Sequence, residues 1–236
     1  MQRPDVYREN TARNQWFEDS PESLQTAEEN CGDTTRSYLN LPGSEDELLS
    51  FRYVKRWVGS GPILDLGCST GAYLRYFPAD SIGLDASKPN LERCRQLGLT
   101  ARFCDLNREL PFRSNTTPVI FCSHLLEHVD SPIALLRECY RVLSADGVLI
   151  LGLPIENSAV NWLRGENYFR DHPGHLYSFS LTGISALLEK TGFELRQLYF
   201  EPRIIRNWLW LSALQHLPNY LAARLAMAYW VIANRS

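Results

Sequence analysis

The chain has 236 residues, 44% of them hydrophobic, and a formal net charge of −3 with acids and bases interspersed. That length and apolar content suffice for one full core plus an extension, while mild acidity without a basic cluster argues against nonspecific nucleic-acid binding. The six cysteines show no Cys-x-x-Cys spacing, and several lie in or beside apolar runs, so they read as reduced core thiols in a cytoplasmic protein.

Residues 1–43 are polar, with scattered aromatics at Tyr7, Trp16, Phe17 and Tyr38 and no apolar stretch of signal-peptide type. They read as an arm or as a lid. Ser44-Glu45-Asp46-Glu47 is a capping box that opens an amphipathic helix through Trp57. Next, Ile63, Leu64 and Leu66 surround Asp65 in a short apolar run, the signature of a parallel strand buried on both faces. Gly67 and Gly71 then remove side chains where the backbone should turn into a helix beginning near Ala72. In an open parallel sheet this turn lies at the carboxyl edge, where ligands bind.

Three readings compete for the turn. A dinucleotide cradle would need Gly-x-Gly-x-x-Gly, but Ser69 stands at the second glycine position. Gly67-Cys68-Ser69-Thr70-Gly71 also fits the Gly-x-Ser-x-Gly elbow of serine hydrolases, with His172 or His175 downstream as a partner. The third reading is a structural turn that binds nothing. The next three strands favour a nucleoside-containing cofactor. Apolar strands ending on Asp85, on Asp105 and on Ser123-His124 line up polar residues at successive strand tips, and an acid on the neighbouring tip can accept hydrogen bonds from ribose hydroxyls.

Ser131-Pro132 caps a helix through Leu143, Ser180 or Thr182 opens another through Lys190 that Gly192 ends, and Phe193 to Glu201 reads as a strand. Residues 44–201 thus form an α/β domain, a Rossmann-like doubly wound, mostly parallel sheet with helices on both faces. Residues 202–236 read as an apolar helical C-terminal extension, broken at Pro218 and too interrupted by Arg206, His216 and Arg224 to span a bilayer. A helical hairpin on the sheet or a homodimer contact through 203–233 is preferred to docking on a membrane surface.

The run from Ile63 to about Gly152 resembles class I S-adenosylmethionine-dependent methyltransferases, specifically the small-molecule enzymes near the ubiquinone-pathway O-methyltransferases. Asp65-x-Gly67-x-x-x-Gly71 is similar to the first family motif and Leu84-Asp85-Ala86-Ser87 to the second. Cys104-Asp105-Leu106 is similar to the third and Leu125-Leu126-Glu127-His128-Val129 to the fourth. The resemblance implies S-adenosylmethionine as cofactor. Its amino acid end would lie along Asp65, Gly67, Ser69 and Gly71, and its ribose on Asp85. Asp105 and the Leu106 amide would take the adenine edge, with Ser123 and His124 near the sulfonium. The family's seventh strand is not evident after Pro202, so it is either absent or an extended piece such as His175 to Phe179.

Methyl transfer is an in-line displacement, so alignment does most of the work and a base matters only for a poorly ionised acceptor. Four histidines fall in two windows on the acceptor side, His124 with His128 and His172 with His175. His128 or His175 is the candidate base, with Tyr177 nearby. His124-x-x-Glu127-His128 also resembles a metal-binding Glu-x-x-Glu-His pattern, although a metal is not part of the expected site. The expected acceptor is a small molecule, most readily an oxygen of a sugar, quinone or lipid precursor. The competing classes are a hydrolase acting through Ser69 and a catalytically silent methyltransferase-like binding subunit.

Overall fold

The structure, a computed structural model, describes residues 51–59, 61–156, 158, 174–202, 213 and 215–236. The N-terminal arm, the capping box and His172 lie outside the described residues. After helix α1 (Phe51–Val58) come β1 (Ile63–Leu66), β2 (Ile82–Asp85), α2 (Lys88–Gln96), β3 (Ala101–Phe103) and β4 (Thr117–Ser123). Beyond these lie α3 (Pro132–Val142), β5 (Leu143–Pro154), α4 (Leu181–Lys190), β6 (Phe193–Pro202), α5 (Asn219–Leu225) and β7 (Ala226–Arg235). The strands form one seven-stranded sheet in the order β3-β2-β1-β4-β5-β7-β6.

Strand periodicity sorts the central side chains onto two faces. Leu64, Leu66, Ile120, Cys122, Leu149 and Leu151 build the core on one side. Ile63, Val119, Phe121 and Ile150 build the other, against Phe51 and Val54 of α1. Because both faces are covered, the strands read as continuous apolar runs and not as alternations. Ser131 accepts a hydrogen bond from the Ala134 amide at the start of α3, and Ser180 does the same for Gly183 at α4, as the sequence suggests.

The end of the chain departs from the expected helical extension. Residues 226–235 are the seventh strand, inserted antiparallel between β5 and β6, with Leu151 opposite Val231 and Tyr199 opposite Trp230. Tyr229, Val231 and Ala233 join one core and Trp230 and Ile232 the other. A strand apolar on both faces cannot be told from a buried helix by its pattern alone. His175 to Phe179 is not a strand, and helical residues in the extension include α5 and residues 213 and 215. The boundary expected at 202 therefore cuts through the β6–β7 hairpin.

A second departure comes after β1. No α-helix begins near Ala72; the segment makes only a 3-10 turn over Leu74–Tyr76. Gly71 is left-handed (φ +85°) and Pro78 is close behind, so neither end permits a longer helix. Tyr73 and Phe77 instead lock the segment by packing on Phe121, with ring centroids 4.9 and 5.1 Å away.

At the far edge, no strand lies beyond β6 among the described residues. The Gln215 side chain takes that place for one residue, accepting from the Phe200 amide at 2.9 Å and donating to its carbonyl at 2.7 Å.

Deleting residues 226–236 is expected to abolish cooperative urea unfolding followed by circular dichroism, since it takes out the strand that joins β5 to β6. Trp230→Ala, at a fully buried indole, should lower the unfolding free energy by about 3–5 kcal/mol in the same measurement.

Candidate active site

The parallel strands end at one edge, and the candidate residues collect there. The turn after β1 is coiled by three left-handed residues, Gly67 (φ +69°), Ser69 (φ +49°) and Gly71 (φ +85°). At Gly71 the positive φ disfavours a side chain, and a Cβ would also make Leu99 shift, since it would lie 2.4 Å from Leu99 Cδ1. The Gly67 and Cys68 amides both donate to the Leu84 carbonyl, at 2.8 and 3.0 Å. This ties the turn to the tip of β2.

Asp85 completes that tie. Its Oδ2 accepts from the Ser69 amide at 2.8 Å, and its Oδ1 accepts from the Ser87 amide at 2.8 Å and from Asn90 Nδ2 at 3.3 Å. The sequence suggests Ser87 as the cap of α2, but the Ser87 side chain makes no capping bond. Asp85 receives the donors at the start of that helix instead. A carboxylate offers about four lone-pair sites, so about one is left for a ribose hydroxyl. Burial raises the Asp85 pKa against these three hydrogen bonds, which lower it.

Asp65 lies beneath the turn, almost fully buried, and its Oδ2 has no hydrogen-bond partner. Burial, then the Cys94 thiol and Asp85, push its pKa well above the usual carboxylate range. The buried Ser69 hydroxyl also makes no hydrogen bond, so among the described residues no histidine serves it as a base. An orphaned carboxylate oxygen on β1 and an orphaned hydroxyl in the coiled turn that follows fit a ligand carrying an ammonium and a carboxylate, as the amino acid end of S-adenosylmethionine does.

Asp105 at the tip of β3 closes its own turn. It accepts from the Asn107 amide at 3.1 Å and pairs with Arg108 at 3.0 Å, while Leu106 is buried. Ser123 ends β4 opposite Gly152, and His124, left-handed at φ +51°, donates its amide to the Gly152 carbonyl at 2.9 Å. His124 Nδ1 stands 3.4 Å from Oε1 of the fully buried Glu127. Burial alone would lower the His124 pKa, but the hydrogen bond and charge of Glu127 outweigh it and leave it raised. Glu127 is lowered in turn, because His124 overcomes the upward push of its own burial.

The two histidine windows meet. The Leu176 amide donates to the Glu127 carbonyl at 2.8 Å and the Tyr177 hydroxyl to the Asp130 carbonyl at 2.7 Å, which lays residues 175–177 across the loop after β4. The His128 and His175 rings meet edge to face at 4.4 Å. His128 Nδ1 lies 2.8 Å from the Gly174 carbonyl; a carbonyl only accepts, so Nδ1 carries a proton, and in the neutral ring the lone pair is on Nε2. One ligand atom each from Glu127, His128 and His175 fall within 4.8 Å of one another, close enough to share a metal ion. Sequence reading places Glu127 only as a neighbour in a motif; its complete burial under the imidazoles is a product of the fold.

A seven-stranded sheet in this order, with a glycine turn after β1, is the class I S-adenosylmethionine-dependent methyltransferase fold. Residues 64–151, less than half of the chain, match the methyltransferase domain family. A methyltransferase structure from Archaeoglobus fulgidus superposes with a TM-score of 0.61 at 20% identity, covering 81% of this chain and 95% of that one. The thiol S-methyltransferase TMT1B of Mus musculus is 29% identical over 132 residues, 49% of this chain and 52% of the relative. A tRNA U34 carboxymethyltransferase of Helicobacter pylori is 29% identical over 42% of each chain. The ubiquinone biosynthesis O-methyltransferase of Methylococcus capsulatus is 30% identical over 36% of this chain and 40% of its own. The chain thus spans about half or less of the length of these relatives.

Glu127→Gln should lower the His124 pKa, because the carboxylate is what raises it. Imidazole NMR titration of the two proteins is expected to show the variant's His124 losing its proton at lower pH.

Proposed function

We propose that this chain transfers a methyl group from S-adenosylmethionine to a small-molecule acceptor, most readily an oxygen of a sugar, quinone or lipid precursor. The observation that carries the reading is the joined turn and β2 tip, where Asp85 holds the Ser69 amide and Asp65 Oδ2 is left unmatched beneath. Asp65, Gly67, Ser69 and Gly71 would hold the amino acid end of the cofactor, and Asp85 would give its remaining acceptor capacity to the ribose. Asp105 and the Leu106 amide would meet the adenine edge, with Ser123 and His124 toward the sulfonium. When bound, S-adenosylmethionine supplies a methyl group already activated for displacement. The protein's share is alignment and exclusion of water.

For a hydroxyl acceptor, His128 is the base. Its Nδ1–H is committed to the Gly174 carbonyl, so Nε2 takes the proton, and the buried Glu127 carboxylate below steadies the imidazolium that forms. His175, packed edge-on against it, holds the ring or receives the proton next. The relatives' names cover a thiol, a tRNA and ubiquinone biosynthesis, so the acceptor class rests on this pair of histidines and not on descent. A nucleic-acid acceptor is the second reading, favoured by the relative named for tRNA; the acidic net charge favours the small molecule.

Isothermal titration of the purified chain with S-adenosylhomocysteine tests the cofactor site. Asp85→Ala is expected to weaken binding by about 100-fold or more, the scale of losing charge-assisted hydrogen bonds. Because Asp85 must be ionised to accept from a ribose hydroxyl, affinity should fall as pH drops through its pKa, at a higher pH than for an ordinary aspartate near ~3.9. A fluorophosphonate probe that labels Ser69 would instead establish the hydrolase reading. In a methyl-transfer screen, His128→Asn is expected to lower turnover by about 100-fold while leaving cofactor affinity unchanged.

A further inference from the structure

The β6–β7 connection stands at the same edge as the candidate site. Pro154, the carboxyl end of β5, lies opposite Ala228 near the start of β7, and Pro202, the end of β6, lies opposite Ala226. Residues 203–225 therefore leave and rejoin the sheet on the side of Asp85, His124 and His128.

The described part of this connection presents apolar side chains outward. Ala222 of α5 is fully buried, while Leu217, Leu221, Leu225 (48% exposed) and Tyr220 (67% exposed) face solvent. Leu221 and Leu225 share a helix face, and Tyr220 lies beside exposed Arg224 one turn on. Leu176 and Tyr177, next to His175, are exposed as well. The charge is one-sided. The chain as a whole is acidic, yet residues 202–236 contain Arg203, Arg206, Arg224 and Arg235 and no aspartate or glutamate. Residues 203–212, just upstream of the surface, carry Trp208 and Trp210 among isoleucines and leucines.

We propose that Leu217, Tyr220, Leu221, Arg224 and Leu225 form a docking surface for an anionic lipid bilayer, holding the carboxyl edge of the sheet against the membrane. Exposed leucines and a tyrosine suit the boundary between head groups and acyl chains, and arginines without acids among them suit a negatively charged surface. A second copy of the chain is the poorer occupant: in a two-fold contact the patch faces itself, so Arg224 would approach its own equivalent with no acid in the segment to neutralise it. No described helix is long and apolar enough to cross a membrane, so the contact is peripheral. Where the methyltransferase reading holds, the acceptor is then an amphiphile presented from the lipid phase.

Flotation of the full chain with vesicles tests this without any cofactor. Binding is expected to phosphatidylglycerol-containing vesicles, to be weaker to pure phosphatidylcholine, and to fall with added salt. Leu221→Ser with Leu225→Ser should reduce it by about tenfold or more, and Arg224→Glu should remove the preference for anionic lipid. S-adenosylhomocysteine titration of the same variants, expected to be unchanged, separates loss of docking from loss of fold and reports on the methyltransferase reading independently. The proposal is overturned if the chain does not float with anionic vesicles, or if the double variant floats as well as the parent. It is equally overturned if analytical ultracentrifugation shows a dimer that the double variant abolishes while vesicle binding is absent.

Discussion

The site depends on one joint, the fastening of the turn after β1 to the tip of β2. A backbone coiled through left-handed residues is costly to hold, and here it is held by two amides on the Leu84 carbonyl and one on Asp85. The same carboxylate takes up the Ser87 amide and Asn90 at the start of α2. One acid thus fixes three things at once: the shape of the turn, the spacing of two strand tips and the entry angle of a helix. What remains on its oxygens is available to a ligand, and this economy explains how a single residue can matter to both folding and binding.

The joint is effective because the sheet beneath it is rigid. β1 is flanked by β2 and β4 in parallel register, and the antiparallel β7 is wedged between β5 and β6. Trp230 reaches from that last strand to Phe121 and Tyr73, with centroids 5.4 and 5.8 Å away. The C-terminus of the chain therefore buttresses the segment that leads out of the cofactor turn. Contacts of such long sequence separation form late and reward the chain only when the whole sheet is assembled.

Much of this was legible in the sequence. The glycines and acids that the sequence sets at strand tips do collect at one edge of the sheet, and the serines that cap α3 and α4 announce their helices. The seventh strand was hidden because burial on both faces erases the alternation that marks a strand. The missing helix after Gly71 was hidden because it depends on aromatic packing against distant strands. Asp85's work as a cap in place of Ser87, and the burial of Glu127 beneath two imidazoles, are matters of side-chain geometry that no spacing specifies. His128 and His175 could be placed on one side of the sheet from sequence, but their ring contact could not.

The Gln215 amide on Phe200 bears on a different property of the molecule. An outer strand with free peptide groups is a template on which another chain can add a strand. Gln215 occupies both groups of Phe200 with a side chain that cannot be extended by further strands, and the exposed Glu194 and Arg196 ion pair places charge farther along the same strand. At the opposite margin, β3 is only three residues long, too short to recruit a partner strand. Each margin thus carries a local obstacle to strand addition, a glutamine on Phe200 at β6 and brevity at β3.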